Sequence, residues 1–234
     1  LKVKERTGEL NNTLSLIRQD LNFAKKIQTR LLPGQAFQVE NLKIVSRYIP
    51  MDEVGGDFFD IAKLENNIVR ILIADATGHG VQGALVTMLI KSEYEVLKES
   101  FASTSQLMKK FNNLFFTKYN NLYSFFTCFI VDIDMENETI TYTSAGHSGQ
   151  LFISGNDIKV LERTGKIAGV MKDADFQEVR MKFHRGDKLL LFTDGIFEEF
   201  NKKEEEFGEE KLFQSAKSIA TEKIDIILEE CLKK

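Results

Sequence analysis

The period of the apolar residues changes at Pro33-Gly34, and the change separates two kinds of structure. Before it, Val3, Leu10, Ile17, Ala24 and Leu31 fall at one heptad position and Leu14 and Leu21 at the other. Residues 1–32 therefore read as one long helix with an apolar seam, interrupted by Thr7 and Gln28 and stopped by Pro33-Gly34. The stretch carries seven Lys/Arg against three Asp/Glu. A terminal seam of this length predicts a homodimer through residues 3–31. An amphipathic helix lying on its own domain is the competing expectation.

Beyond the break, residues 37–49, 57–64 and 68–75 alternate or run apolar with β-branched residues, as strands do. Helical periodicity returns at 81–99 and 104–118. Residues 124–134 and 139–145 then flank a polar turn, 150–154 and 158–161 flank Gly155-Asn156, and 176–183 and 188–193 flank His184-Arg185-Gly186-Asp187. Each pair reads as a hairpin. A helical tail begins near Glu209, after an acid-rich run, 198–210, that reads as a solvated loop. Strands, two helices and then hairpins predict an α+β domain over 34–234, preceded by a helical segment, 1–33.

Composition narrows the function. A formal net charge of −4 gives no basic footprint, so no nucleic-acid partner is expected. Cys128 and Cys231 lie far apart without metal-ligand spacing and read as reduced thiols. No apolar run approaches the roughly 20 residues that span a bilayer, and no signal peptide is visible. The first residue is Leu1, so the sequence reads as a piece of something longer.

Three aspartates share one local setting: each lies in a glycine-containing turn adjoining an apolar strand. Val54-Gly55-Gly56-Asp57 opens one, Asp75-Ala76-Thr77-Gly78-His79-Gly80 follows another, and Thr193-Asp194-Gly195 follows a third. Singly, an Asp beside Gly is often a turn residue bonding its own backbone. Convergent, the three would need protons or divalent cations, because each pair ~4 Å apart costs about 4 kcal/mol at an effective dielectric near 20. An all-oxygen set favours Mg²⁺ or Mn²⁺ over zinc. His79 is a candidate general acid, with a structural hydrogen bond as the alternative. His147 reads as a turn residue and Arg47 as a solvated strand arginine.

At these residues the chain resembles the SpoIIE/RsbU branch of the PPM (phosphatase 2C-like) superfamily. The resemblance rests on Pro50-Met51-Asp52-Glu53-Val54-Gly55-Gly56-Asp57-Phe58-Phe59-Asp60, Ala74-Asp75-Ala76-Thr77-Gly78-His79-Gly80, Ser144-Ala145-Gly146-His147 and Phe192-Thr193-Asp194-Gly195-Ile196-Phe197-Glu198-Glu199. Asn201 and Phe207-Gly208-Glu209-Glu210 continue it, and Ala24 to Gln28 with Leu31-Leu32-Pro33 resemble its lead-in. It implies a sandwich of two antiparallel sheets flanked by helices, and a metal-dependent serine/threonine protein phosphatase with a two-metal centre of Mn²⁺ or Mg²⁺. Asp57 and Asp75, with the carbonyl of Ala76, would hold one ion; Asp75 would bridge to a second held by Asp194, and a water between the metals would attack phosphorus in line. The resemblance further implies a phosphorylated partner such as an anti-sigma-factor antagonist and an upstream sensor domain joined through the first helix. It places the protein in the cytoplasm, or in the cytoplasmic part of a membrane-tethered sensor.

Two departures stand against it. The family's further strand bearing an Asp-Asp pair is absent from these residues, and Gly169-Val170-Met171 replaces a Pro-Leu-Gly-like loop. A metal-deficient binding module of the same fold is therefore the alternative. A nucleotide cyclase, suggested only by Gly55-Gly56-Asp57-Phe58-Phe59, leaves Asp75 and Asp194 unexplained.

Overall fold

The computed structural model describes residues 2–34, 36–198 and 204–232. Part of the acid-rich run, with Glu199 and Asn201 of the matching signature, lies outside them. The first helix, α1 (Lys2–Leu31), ends at the predicted break. Its two halves differ: Val3, Leu10, Leu14 and Ile17 are exposed, whereas Gln28 is buried and Leu32, just past the helix end, packs on the domain core. No helix among the described residues is long and apolar enough to cross a membrane.

Two sheets and a hairpin follow. β1 (Ala36–Val39) and β2 (Leu42–Val45) pair with each other, so the expected single run 37–49 is in fact a hairpin. Glu40 takes a positive φ of 50° at its turn, and the alternating pattern on either side masks the reversal. β3 (Asp57–Lys63), β4 (Ile68–Ala76), β5 (Phe126–Asp134), β6 (Thr139–Ala145) and β9 (Val179–Lys182) form an antiparallel sheet in the order β3-β4-β5-β6-β9. β7 (Gln150–Ser154), β8 (Asp157–Leu161) and β10 (Lys188–Leu190) form a second, in the order β10-β7-β8.

The third predicted hairpin is corrected here. His184 and Asp187 do close a tight turn, with the Asp187 N–H donating to the His184 carbonyl at 3.0 Å. The strands on either side part company: β9 pairs with β6 and β10 with β7. Turn chemistry is local, but pairing follows the sheet edge that each strand can cover, and the turn passes the chain from one sheet to the other.

Alternation along the strands builds the layers. Leu72, Ala74 and Ala76 of β4 with Phe126, Cys128 and Ile130 of β5 face α2 (Gly80–Leu97) and α3 (Thr104–Tyr119). Val69, Ile71, Phe129, Val131 and Ile133 face the opposite way and meet Phe152 and Leu161 of the second sheet, so an apolar slab lies between the sheets. The outer face of the second sheet, with Leu151 and Leu190, is covered by α4 (Glu209–Ser218) and α5 (Ile224–Cys231). The fold is the expected two-sheet antiparallel sandwich flanked by helices.

One charge sits deep on the helix side. The Arg70 guanidinium, fully buried, donates to both Asp132 oxygens at 2.6 Å and to the carbonyls of Lys98 and Phe101 at 2.6 and 3.0 Å. It ties β4 and β5 to the end of α2. Arg70→Met strands a buried carboxylate and should lower unfolding free energy by about 3–5 kcal/mol, read from urea denaturation midpoints. Adding Asp132→Leu should recover much of that loss.

Candidate metal centre

The β3–β4 register places Asp57 directly opposite Asp75. Each belongs to the row that turns toward the slab between the sheets, as Ile73 and Ile61 do, so the two carboxylates stand side by side where the slab reaches its rim. Like charges opposed across a ladder destabilise it, and no packing requirement asks for them there. The second sheet supplies the third carboxylate. After β10 the chain runs through Leu191, Phe192 and Thr193 into a short 3₁₀ turn, Asp194–Ile196. The Thr193 hydroxyl donates to Asp57 Oδ2 at 3.0 Å, joining the sheets at the rim.

The electrostatics record the convergence. Burial, the largest cause, together with the Asp194 charge pushes Asp57 up to about 6, against an opposing hydrogen bond from Thr193. Asp75 is pushed up to about 7 by burial first, then by the charges of Asp57, Asp194 and Glu198. The charged groups acting on these two are all carboxylates. Glu198 is thus a fourth acid of the cluster; its own carboxyl is raised chiefly by Asp194. Sequence reading assigned it to a solvated loop, although its place four residues after Asp194 in a tight turn was the available signal.

The loop after β4 is packed to the limit of its glycines. A Cβ on Gly56 would lie 3.0 Å from the Ala76 carbonyl oxygen and 3.1 Å from that of Gly78, and one on Gly83 would strike the Gly78 carbonyl at 2.6 Å. The Ala76 N–H donates to the Gly56 carbonyl at 2.9 Å. Ala76 thereby holds its carbonyl beside the Asp57–Asp75 pair. His79 is exposed at the N-cap of α2, four residues after Asp75, and makes no side-chain cap hydrogen bond. Arg47 pairs with Glu229 of α5 at 2.6 Å.

Two residues that sequence reading gave lesser parts hold the surrounding backbone. Gln28 of α1 donates to the Gly55 carbonyl at 2.7 Å and to the Thr87 hydroxyl of α2 at 3.1 Å, and accepts from the Gly55 N–H at 3.1 Å. His147 is 1% exposed; burial lowers its pKa to about 4, so the ring is neutral. Among the described residues no three His, Cys, Asp or Glu side chains form a closed ligating array. Their chemistry nonetheless fits a hard divalent cation: oxygen donors only, partly desolvated and mutually repelling.

Comparison with known proteins identifies the family and agrees with the fold. The family model described as Stage II sporulation protein E (SpoIIE) matches residues 65–234. The phosphoserine phosphatase RsbU of Bacillus subtilis (strain 168) is 30% identical over 185 residues, covering 78% of this chain and 54% of RsbU. The chain spans about half the length of the curated relatives it matches. The solved SiaA-PP2C domain of Pseudomonas aeruginosa superposes with a TM-score of 0.79 at 19% identity, over 94% of this chain and 87% of that one. RsbX, solved in complex with magnesium, gives a TM-score of 0.62 at 17% identity, over 84% and 87%.

The raised carboxyls make a stability prediction for the metal-free chain. With folded-state values of about 6 and 7 for Asp57 and Asp75 against an ordinary aspartate value of 3.8, the folded state retains protons that the unfolded chain has released. Their contribution therefore weakens as pH rises from about 4 to 7 and levels off above. In EDTA, Asp75→Asn should melt a few degrees higher than wild type at pH 8. That difference should shrink toward pH 4.

Proposed function

The chain belongs to the SpoIIE family, and on that premise we propose that it is a metal-dependent protein phosphatase acting on phosphoserine or phosphothreonine of a partner protein. The observation that carries the reading is the gathering of Asp57, Asp75 and Asp194 at one rim of the sandwich. Asp57, Asp75 and the Ala76 carbonyl are the proposed ligands of one Mn²⁺ or Mg²⁺, with Asp75 bridging to a second held by Asp194. Bound ions would supply an activated water and screen the charge on the phosphoryl oxygens. The chain's own part is placement: the β3–β4 register spaces the first two carboxylates, Thr193 orients Asp57, and the glycine-packed loop presents the Ala76 carbonyl. His79, exposed at the head of α2, is the proposed proton donor to the leaving alcohol. A thiol nucleophile has no role here, since Cys128 is fully buried and burial drives its pKa far up.

By the family resemblance the proposed substrate is a small anti-sigma-factor antagonist in a cytoplasmic signalling pathway. A further strand bearing an Asp-Asp pair would complete the ligand set. Its place is the gap between β2 and β10, whose outer edges are unpaired among the described residues and which flank an apolar cavity of about 190 Å³. The competing reading, a metal-deficient binding module, draws on the absence of an Asp-Asp pair from residues 1–234.

Mn²⁺-dependent phosphate release from a phosphoserine protein separates the two. Turnover that falls by about 100-fold or more in Asp75→Asn supports the phosphatase. Absence of metal-dependent turnover, even in a chain extended beyond residue 234, supports the binding module.

We also propose that α1 pairs with a second copy and connects to an upstream sensor domain, since its seam is exposed over Val3, Leu10, Leu14 and Ile17. Sedimentation should give a dimer that Leu14→Glu with Ile17→Glu converts to monomer. A wild-type chain monomeric at high concentration counts against it.

A further inference from the structure

Of the three histidines, only His147 is buried, and its turn is built for that outcome. Gly146 has a φ of 67°, and a Cβ there would strike Ile167 at 2.6 Å. The turn sends the His147 ring into the rim, where it spans two segments, one lying beside Asp75 and the other leading to Asp194. Nδ1 meets the Thr127 hydroxyl at 2.7 Å, and Thr127 lies opposite Asp75 in the β4–β5 ladder. Nε2 lies 3.0 Å from the Phe192 carbonyl, two residues before Asp194. A carbonyl only accepts, so Nε2 carries the proton and Nδ1 of the neutral ring accepts from Thr127.

Gln150 grips the same residue, its Nε2 donating to the Phe192 carbonyl at 3.0 Å and its Oε1 accepting from the Phe192 N–H at 2.7 Å. The ladder of β10 with β7 ends at Leu190, so Asp194 stands four residues beyond the sheet's own register. What holds the intervening segment is this pair of side chains, with Thr193 on Asp57.

We infer that His147 is a positioning residue: by tying the Phe192 carbonyl to the Thr127 hydroxyl it fixes Asp194 relative to Asp75, and so sets the affinity of the site for divalent cations. The inference rests on the metal-dependent reading above. It assigns no contact between His147 and substrate or metal. Buried partners that orient metal-binding groups commonly change metal affinity by about 10–100-fold when removed.

The test is Mn²⁺ binding, by calorimetry and by the electron paramagnetic resonance signal of unbound Mn²⁺, on residues 1–234. The wild type is compared with Asp75→Asn, His147→Gln, His147→Asn, Thr127→Val and Thr127→Ser, and thermal melting checks that each variant folds. Gln sets its amide nitrogen where Nε2 stands and keeps only the bond to Phe192; Asn reaches only toward Thr127. Thr127→Val removes the donor to Nδ1 and breaks the link from the ring to β5, whereas Thr127→Ser keeps that hydroxyl. Thr127→Ser should bind within about threefold of wild type, and His147→Gln, His147→Asn and Thr127→Val, each lacking one end of the link, should bind about 10-fold or more weakly. Folded His147→Asn and Thr127→Val chains that bind as tightly as wild type overturn the positioning role. Should His147→Asn fail to fold, the milder Thr127→Val decides alone. A wild type that binds no Mn²⁺, or binds it no better than Asp75→Asn, overturns the metal reading itself and this inference with it, before any His147 variant is compared.

Discussion

The direct opposition of Asp57 and Asp75 across the β3–β4 ladder is the constraint on which the rest of the site depends. Register admits no compromise: a one-residue slip of β3 would turn Asp57 to the helix face and place Phe58 opposite Asp75 at the rim. The register is held by the alternating apolar rows beneath it, Val69, Ile71 and Ile73 on one face and Leu72 and Ala74 on the other. The hydrophobic slab thus keeps in place a pair of charges that would otherwise move apart. Burial is the first cause of both raised carboxyls, and mutual charge comes after it. The slab therefore does two things at once, fixing the acids and withdrawing water from them.

The third acid arrives by a different route, and the difference matters physically. Asp57 and Asp75 are held by ladder hydrogen bonds, whereas Asp194 lies past the end of a three-residue strand. A carboxylate on so short a tether would not hold a fixed distance from its fellows through backbone pairing alone. Side chains do that work: Thr193 reaches Asp57 of the first sheet, and His147, in the loop after β6, and Gln150, at the start of β7, bracket Phe192. The two sheets are joined by apolar contact through their middle and by directional hydrogen bonds at the rim. Directional bonds belong there, since apolar contact tolerates small slides and hydrogen bonds do not.

Much of this was legible in the amino-acid sequence, for identifiable reasons. Strand pairs joined by short polar turns declared themselves at 124–145 and 150–161, because both partners lie in one sheet. The segment 176–193 carried the same signals and misled, because turn chemistry at His184–Asp187 is blind to which sheet each neighbour joins. Asp57, Asp75 and Asp194 stood out by their strand-end glycines. Glu198 did not, since an acid inside an acid-rich run has the composition of a solvated loop. His147 was hidden for a related reason: Gly-His-Ser-Gly reads as a turn, and it is one, but a turn whose side chain points inward. Burial of a single polar side chain in a loop leaves no periodicity to detect.

Gln28 makes the same point for the first helix. In a heptad seam a glutamine is an interruption that weakens pairing, and that is how the sequence presents it. In the fold it lies where the helix docks on the domain. Val3, Leu10, Leu14 and Ile17 are exposed, while Gln28, 4% exposed, spends its amide on both polar groups of Gly55 and on Thr87. A leucine there would improve the seam but leave the Gly55 N–H and carbonyl without these partners, two residues from Asp57. One long helix thus has two parts in succession, an exposed apolar stripe followed by a docked end. The polar interruption marks the boundary between them because only a side chain that both donates and accepts can close that stretch of backbone.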